Sequence, residues 1–257
     1  MKQKTRIYTI GCSWTHFLFD EYKNSESLES FAPEHAYRHT HGGSYSLPGH
    51  GLGHIRNILE LESESSVYKS CDYMVVQLPT PIRSVLCDNK SSMNTVGYMK
   101  EYQKLVDARG REFAINYLFE VYSKEMKKID SMHSNVIFFL YNTGGYPFRH
   151  PVSLDSKETF DDRIEKFCKS KGINLISLSF EGEPGYTVDE VDCDDEEKRK
   201  LDPGNSKLVQ EMWWMGNCVH PNKKLIIDAH PNKRAGKKAV RLIESAVEKY
   251  ELNKKNA

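Results

Sequence analysis

No pair of cysteines in this chain is spaced as CxxC, which argues against a thioredoxin-like redox motif and a structural zinc knuckle. The six cysteines, Cys12, Cys71, Cys87, Cys168, Cys193 and Cys218, are scattered and read as buried or incidental thiols. An excess of one charge is missing too: Lys plus Arg and Asp plus Glu number 36 each. A balanced chain has no overall attraction to nucleic acid or to an anionic membrane, so neither is an expected partner. No apolar run approaches the roughly 20 residues that span a bilayer, and no secretory h-region is present. The cytoplasm is therefore the expected compartment. HExxH, the Walker lysine motif and a GxGxxG loop between strand and helix are all absent, which disfavours a zincin helix and a phosphate or dinucleotide loop. No cofactor is implied, and there is no internal repeat or low-complexity tract.

What is present fits one domain over residues 1–257, with 39% hydrophobic and 28% charged residues. Thr5 to Ile10 alternates and is β-prone, and Gly11 ends it. A helix is expected from His16 to Tyr22, with a polar continuation through Ser30. A loop rich in Gly, His and Ser follows from His39 to His54, then a helix over Ile55 to Leu61. Tyr73 to Leu78 and Val136 to Tyr141 are apolar and β-branched, the character of strands covered on both faces. Between them lies a long helical region from Met99 to about Ile129, divided at Gly110. Its apolar face is predicted to hold Phe113, Tyr117, Val121 and Ile129. Phe160 to Cys168 reads as an amphipathic helix stopped by Gly172, and Ile173 to Leu178 as a strand. Surface insertions are expected at about 80–100 and 181–225. The last helix runs from about Gly236 to Glu251, with Ala239, Val240, Ile243, Val247 and Tyr250 on its apolar side. Strands alternating with helices predict a three-layer α/β domain with a mostly parallel sheet.

The turn Gly11-Cys12-Ser13-Trp14-Thr15 lies just beyond the first strand, at the edge where open α/β sheets bind ligands. A hydroxyl there either caps the following helix or serves as a nucleophile whose developing charge meets helix N-terminal amides. A second signal is Asp228-Ala229-His230-Pro231, expected in a turn before the last helix. His230 can accept a proton near neutral pH, and an Asp can fix its tautomer. Between them, the run from Gly42 to His54 is dense in glycine, which lets backbone approach a ligand closely. An amide from Gly43 or Gly49 could hold an oxyanion there; the alternative is a flexible surface loop. His35, His39, His41, His50 and His54 form a local cluster that could bind a transition metal, although the glycines argue against His50 and His54 sharing a helix face. Trp14, Tyr45, Trp213 and Trp214 either line a substrate cleft or cover the core.

Taken in order, Gly11-Cys12-Ser13, the glycine-rich loop, Val75-Val76-Gln77 and Asp228-Ala229-His230-Pro231 resemble the SGNH/GDSL-type hydrolases. The resemblance implies a flavodoxin-like three-layer α/β/α sandwich with long loop insertions. It also implies acyl-ester chemistry, with Ser13 as nucleophile and Asp228 and His230 as acid and base. The Ser13 amide and Gly49 would be oxyanion donors, with Gly43 as the alternative to Gly49. The pattern departs from the family at three points. Cys12 replaces the middle residue of Gly-Asp-Ser, and Asp228 and His230 are one residue apart where the family commonly has two. After the third core segment the chain reads Gln77-Leu78-Pro79-Thr80, without the family's asparagine, so Gln77 or Thr80 would have to supply the third donor.

The function expected from this pattern is serine-dependent hydrolysis of carboxylic esters, with a carbohydrate or other small-molecule ester, such as an acetylated one, as substrate. Three alternatives stand beside it: an O-acyltransferase using the same serine, a noncatalytic ligand-binding protein, and a metal-dependent enzyme using the His35–His54 cluster.

Overall fold

The computed structural model describes residues 4–11, 18, 21–31, 51–79, 81, 95–142, 158–179, 215–219, 225–231 and 233–255. Side chains at 30, 95–100, 141–142, 179, 215–219, 225–231, 233–235 and 253–255 are outside that description. The chain is a three-layer α/β/α sandwich. Among the described residues its central sheet has five strands in the order β2-β1-β3-β4-β5, built from β1 (Thr5–Ile10), β2 (Leu28–Phe31), β3 (Tyr73–Gln77), β4 (Val136–Asn142) and β5 (Leu175–Ser179). All four pairings are parallel.

Burial on both faces explains why the central strands are nearly all apolar. Every residue of β3 is buried, as are Val136 to Leu140 of β4. Because successive strand residues alternate between faces, Tyr8, Ile10, Met74, Val76, Val136, Phe138 and Leu140 all point to one side and share a single core cluster. Helices α1 (Leu52–Glu62), α4 (Arg111–Asp130) and α5 (Phe160–Lys171) cover that side, contributing Ile55, Leu59, Leu118, Tyr122, Met126 and Ile164. The opposite side carries Ile7, Val75, Ile137 and Phe139, all fully buried. Helix α6 (Lys233–Lys255) lies there: the Tyr73 ring stacks on Tyr250 at 6.5 Å, and its hydroxyl donates to Glu251 Oε1 at 2.5 Å. Each fully buried large apolar side chain in these layers contributes about 1.5–3 kcal/mol. Two further helices are α2 (Ser66–Lys69) and α3 (Thr95–Arg109).

The joints follow local chemistry. Thr159 and Asp162 form a reciprocal capping box at the start of α5, and Gly172 ends that helix at φ 68°. Gly110, at φ 83° and ψ 157°, separates α3 from α4, so the expected division of the long helical region falls there.

Several expectations change. The predicted apolar face of α4 is displaced: Phe113 and Tyr117 are 45% and 41% exposed. The buried stripe is Ala114, Ile115, Leu118, Tyr122, Met126 and Ile129. The two aromatic rings stack on each other outside the core, with Arg109 over Phe113. Residues 28–31, expected to continue a polar segment, form the edge strand β2 because β1 offers its free side to them. The glycine-rich run turns helical at Leu52, so Gly53 and His54 belong to α1. The two expected insertions hold regular structure in part: α3 begins at Thr95, and residues 215–219 form β6.

Candidate active site

The strand order 2-1-3-4-5 places a topological switch point between β1 and β3. Open α/β sheets bind ligands at the carboxyl ends of the strands flanking such a point. The sequence positions three kinds of residue at that edge. Buried Gly11 carries the chain out of β1 toward Ser13. Gly51, the N-cap of α1, follows Gly49 by two residues and begins a helix whose first amides have no intrahelical partner. At the end of β3 stands Gln77.

Gln77 is 1% exposed, and its side-chain Nε2 donates to the carbonyl of Leu78. Leu78 N–H in turn donates to Phe139 O at 2.8 Å, extending the ladder one residue past the strand. The Tyr122 hydroxyl, from the middle of α4, donates to Pro79 O at 2.6 Å in a buried contact. The Tyr122 ring is held edge-on to Phe160 at 5.7 Å and 90°. The exit from β3 is therefore fastened at three consecutive points, and Tyr122 has no sequence signal beyond its place on an amphipathic helix. Asn142 and Ser179 end β4 and β5 at the same edge. Neither stands out in the sequence, because strand ends drift by a residue or two when read from composition.

Asp228 and His230 lie in a strand, β7 (Leu225–Pro231), where a turn was expected. The apolar run Leu225-Ile226-Ile227 favours extension, and β6 (Met215–Val219) pairs with it antiparallel in a separate two-stranded sheet. The ladder is irregular at the residues of interest. Asn217 pairs with Ile227 and Met215 with Pro231, so Asp228, Ala229 and His230 face Gly216 alone. Such an irregularity interrupts the pairing. Helix α6 starts two residues after Pro231.

Ser13, Trp14, Gly43, Tyr45, Gly49, Thr80, Trp213 and Trp214 lie outside the described residues, as do His35, His39, His41 and His50. Among the described residues, no group of three or more His, Cys, Asp or Glu could hold a metal ion. No helix among them is long and apolar enough to cross a membrane. Two thiols are described and both are free and buried. Burial pushes Cys71 up to about 11 and Cys168 up to about 12, so neither is a thiolate near neutral pH.

No family model and no curated protein matches the chain. Among solved structures it is similar to a GDSL-like lipase from Bacteroides thetaiotaomicron at 13% identity, covering 96% of this chain and 89% of that one with a TM-score of 0.41. An acetyl xylan esterase is similar at 12% identity, with 94% and 99% covered and a TM-score of 0.42. A lipase from a goat rumen metagenome is similar at 13% identity, with 95% and 97% covered and a TM-score of 0.41.

Proposed function

We propose that the chain is a serine-dependent esterase acting on a small-molecule or carbohydrate ester. The observation that carries this reading is that β1, which Ser13 follows by three residues in sequence, borders the switch point of the sheet and ends at its carboxyl edge. Ser13 is the nucleophile in this proposal, His230 its general base and Asp228 the group that orients the imidazole. The irregular stretch of β7 holding Asp228 and His230 supports that assignment, because bulges recur beside active sites and aim side chains out of a regular ladder.

His230 takes the Ser13 proton as the hydroxyl attacks the ester carbonyl. It then returns that proton to the leaving alcohol, giving an acyl-serine. Water deprotonated by His230 attacks the acyl-serine carbonyl, releasing the carboxylic acid and restoring Ser13. The amides of Ser13 and Gly49 receive the oxyanion, near the start of α1, whose dipole favours negative charge. Water as acceptor gives hydrolysis, and an alcohol in its place gives acyl transfer by the same steps.

The test uses p-nitrophenyl acetate and a fluorophosphonate probe on the full chain. The wild type is expected to turn over the ester and to be labelled at Ser13, while Ser13→Ala and His230→Ala each lose at least about 10³-fold in kcat. Full turnover in Ser13→Ala would eliminate the proposal.

A further inference from the structure

The outer side of α4 carries an aromatic and charged ridge that the core does not use. Residues four apart share a helix face, so Phe113 and Tyr117 lie one above the other, while Ala114, Ile115 and Leu118 turn into the core. The two rings remain 45% and 41% exposed. They are parallel to within 9° with centroids 6.4 Å apart, and the Arg109 guanidinium sits 5.4 Å from the Phe113 centroid. Glu120 follows Tyr117 by three residues, less than one turn further along the same face. Arg109 and Glu120 are both exposed, and among the described residues neither forms a salt bridge. Along the chain the ridge therefore reads cation, ring, ring, anion. Leu61 and Leu252, the other exposed large apolar residues among those described, stand singly on α1 and α6.

That order is complementary to its own reverse, and we propose that the ridge is the contact of an isologous dimer, with a second copy of this chain as its occupant. In an antiparallel placement about a two-fold axis between Phe113 and Tyr117, each Phe113 meets the partner's Tyr117. Each Arg109, held on Phe113, then faces the partner's Glu120. The axis makes the two ion pairs equivalent, as an isologous contact requires. A parallel placement sets like charges against each other at both ends, which disfavours it. Four rings with less than half of their surface open cover about 350 Å² across the axis, taking about 200 Å² for each whole ring. A standard interface buries about 1,600 Å², so this dimer is a weak one that forms as concentration rises. The contact uses no residue of the proposed catalytic set and is independent of the esterase reading.

Sedimentation velocity of the full chain from about 5 µM to about 500 µM tests the contact, with half-dimerisation expected on the order of 50 µM. The paired change Phe113→Ala and Tyr117→Ala is expected to lower the association constant at least about tenfold, as are Arg109→Glu and Glu120→Arg singly. These positions are exposed, so the melting temperature of each variant is expected to stay within about 2 °C of wild type, which shows that the variants still fold. The exchanged variant, Arg109→Glu with Glu120→Arg, carries the same charges at opposite ends of the ridge. It is expected to regain at least about fivefold in association over either single reversal. A wild type that stays monomeric across the range overturns the proposal, and so does a dimer that Glu120→Arg leaves unchanged. A dimer that both single reversals weaken and the exchange does not restore refutes the antiparallel pairing, and the proposal with it.

Discussion

Glu244 of α6 offers a test of how the connection that carries Ser13 is fixed. Its Oε1 accepts from Ser25 Oγ at 2.5 Å and from Ser27 Oγ at 3.0 Å. Ser25 is 8% exposed, and its hydroxyl oxygen also accepts the N–H of Leu28 at 2.9 Å and of Ser27 at 3.3 Å. One carboxylate thus closes the return limb between β1 and β2 onto the last helix. Hydrogen bonds to a charged group contribute about 1.5–3 kcal/mol each where buried, and less where water competes. The Ser25 bond is part-buried and the Ser27 bond is exposed, so Glu244→Ala is expected to cost about 2 kcal/mol. Glu244→Gln retains one acceptor oxygen without the charge and is expected to cost about 1 kcal/mol. For a chain of this size, 1 kcal/mol moves the melting midpoint by about 2–4 °C, giving a drop of about 4–8 °C for the alanine variant. Thermal and urea unfolding of Glu244→Ala, Ser25→Ala and the double variant complete the cycle, with an expected coupling of about 1 kcal/mol. Strict additivity, or a Glu244→Ala midpoint within about 1 °C of wild type, would show that the limb is held by something else.

Two further outcomes follow from geometry elsewhere. Burial raises the Glu125 pKa, but hydrogen bonds from Lys128 and Arg56 outweigh it, so the carboxyl titrates below its usual range. A depressed carboxylate stabilises the fold above its unfolded-state pKa and ceases to do so as pH falls through the folded value. Glu125→Gln should therefore reduce stability at pH 7 and flatten the acid limb of urea midpoints measured between pH 7 and 3; an unchanged limb would refute the pairing. Gly172 and Gly110 are both at positive φ with nothing within 4 Å of an added Cβ, so alanine there meets only backbone cost. Gly172 is left-handed at ψ 20°, whereas Gly110 at ψ 157° occupies a region almost confined to glycine. Alanine should cost about 1 kcal/mol at 172 and about 2–3 kcal/mol at 110 by urea unfolding, and asparagine should be tolerated only at 172.

The parts of this fold that can be read from sequence are those where burial leaves no choice of residue. Strands β3 and β4 are covered on both faces, so their positions are almost all apolar, and the sequence names them within a residue or two. Strand β2 has no such signature. Among the described residues Leu28-Glu29-Ser30-Phe31 pairs only with β1, and a four-residue edge needs only one apolar position facing a layer. Helix α4 shows a different failure. Phe113 and Tyr117 are its bulkiest early apolar residues, and size alone points them to the core, but they stack on each other in the open. The buried stripe passes through Ala114, Ile115 and Leu118, about one residue further round the helix.

That single step of rotation bears on the candidate site. A helix face centred on Phe113, Tyr117 and Val121 carries no expectation for Tyr122. The face centred on Leu118 and Met126 puts Tyr122 in the layer against the sheet, where a buried phenol must find an acceptor. The acceptor it finds, the Pro79 carbonyl, lies 43 residues away in sequence, and no local pattern could join the two. The reverse holds for the end of β1. Gly11 follows a strand whose partners on both sides are fixed by register, with Thr5 opposite Leu28 and Ile10 opposite Val76. The place of Gly11 at the carboxyl edge follows from the strand alone, and for that reason the amino-acid order is enough to locate it. What distinguishes the two is range: a residue placed by the end of its own element is legible in sequence, and one placed by which face of a distant helix packs inward is not.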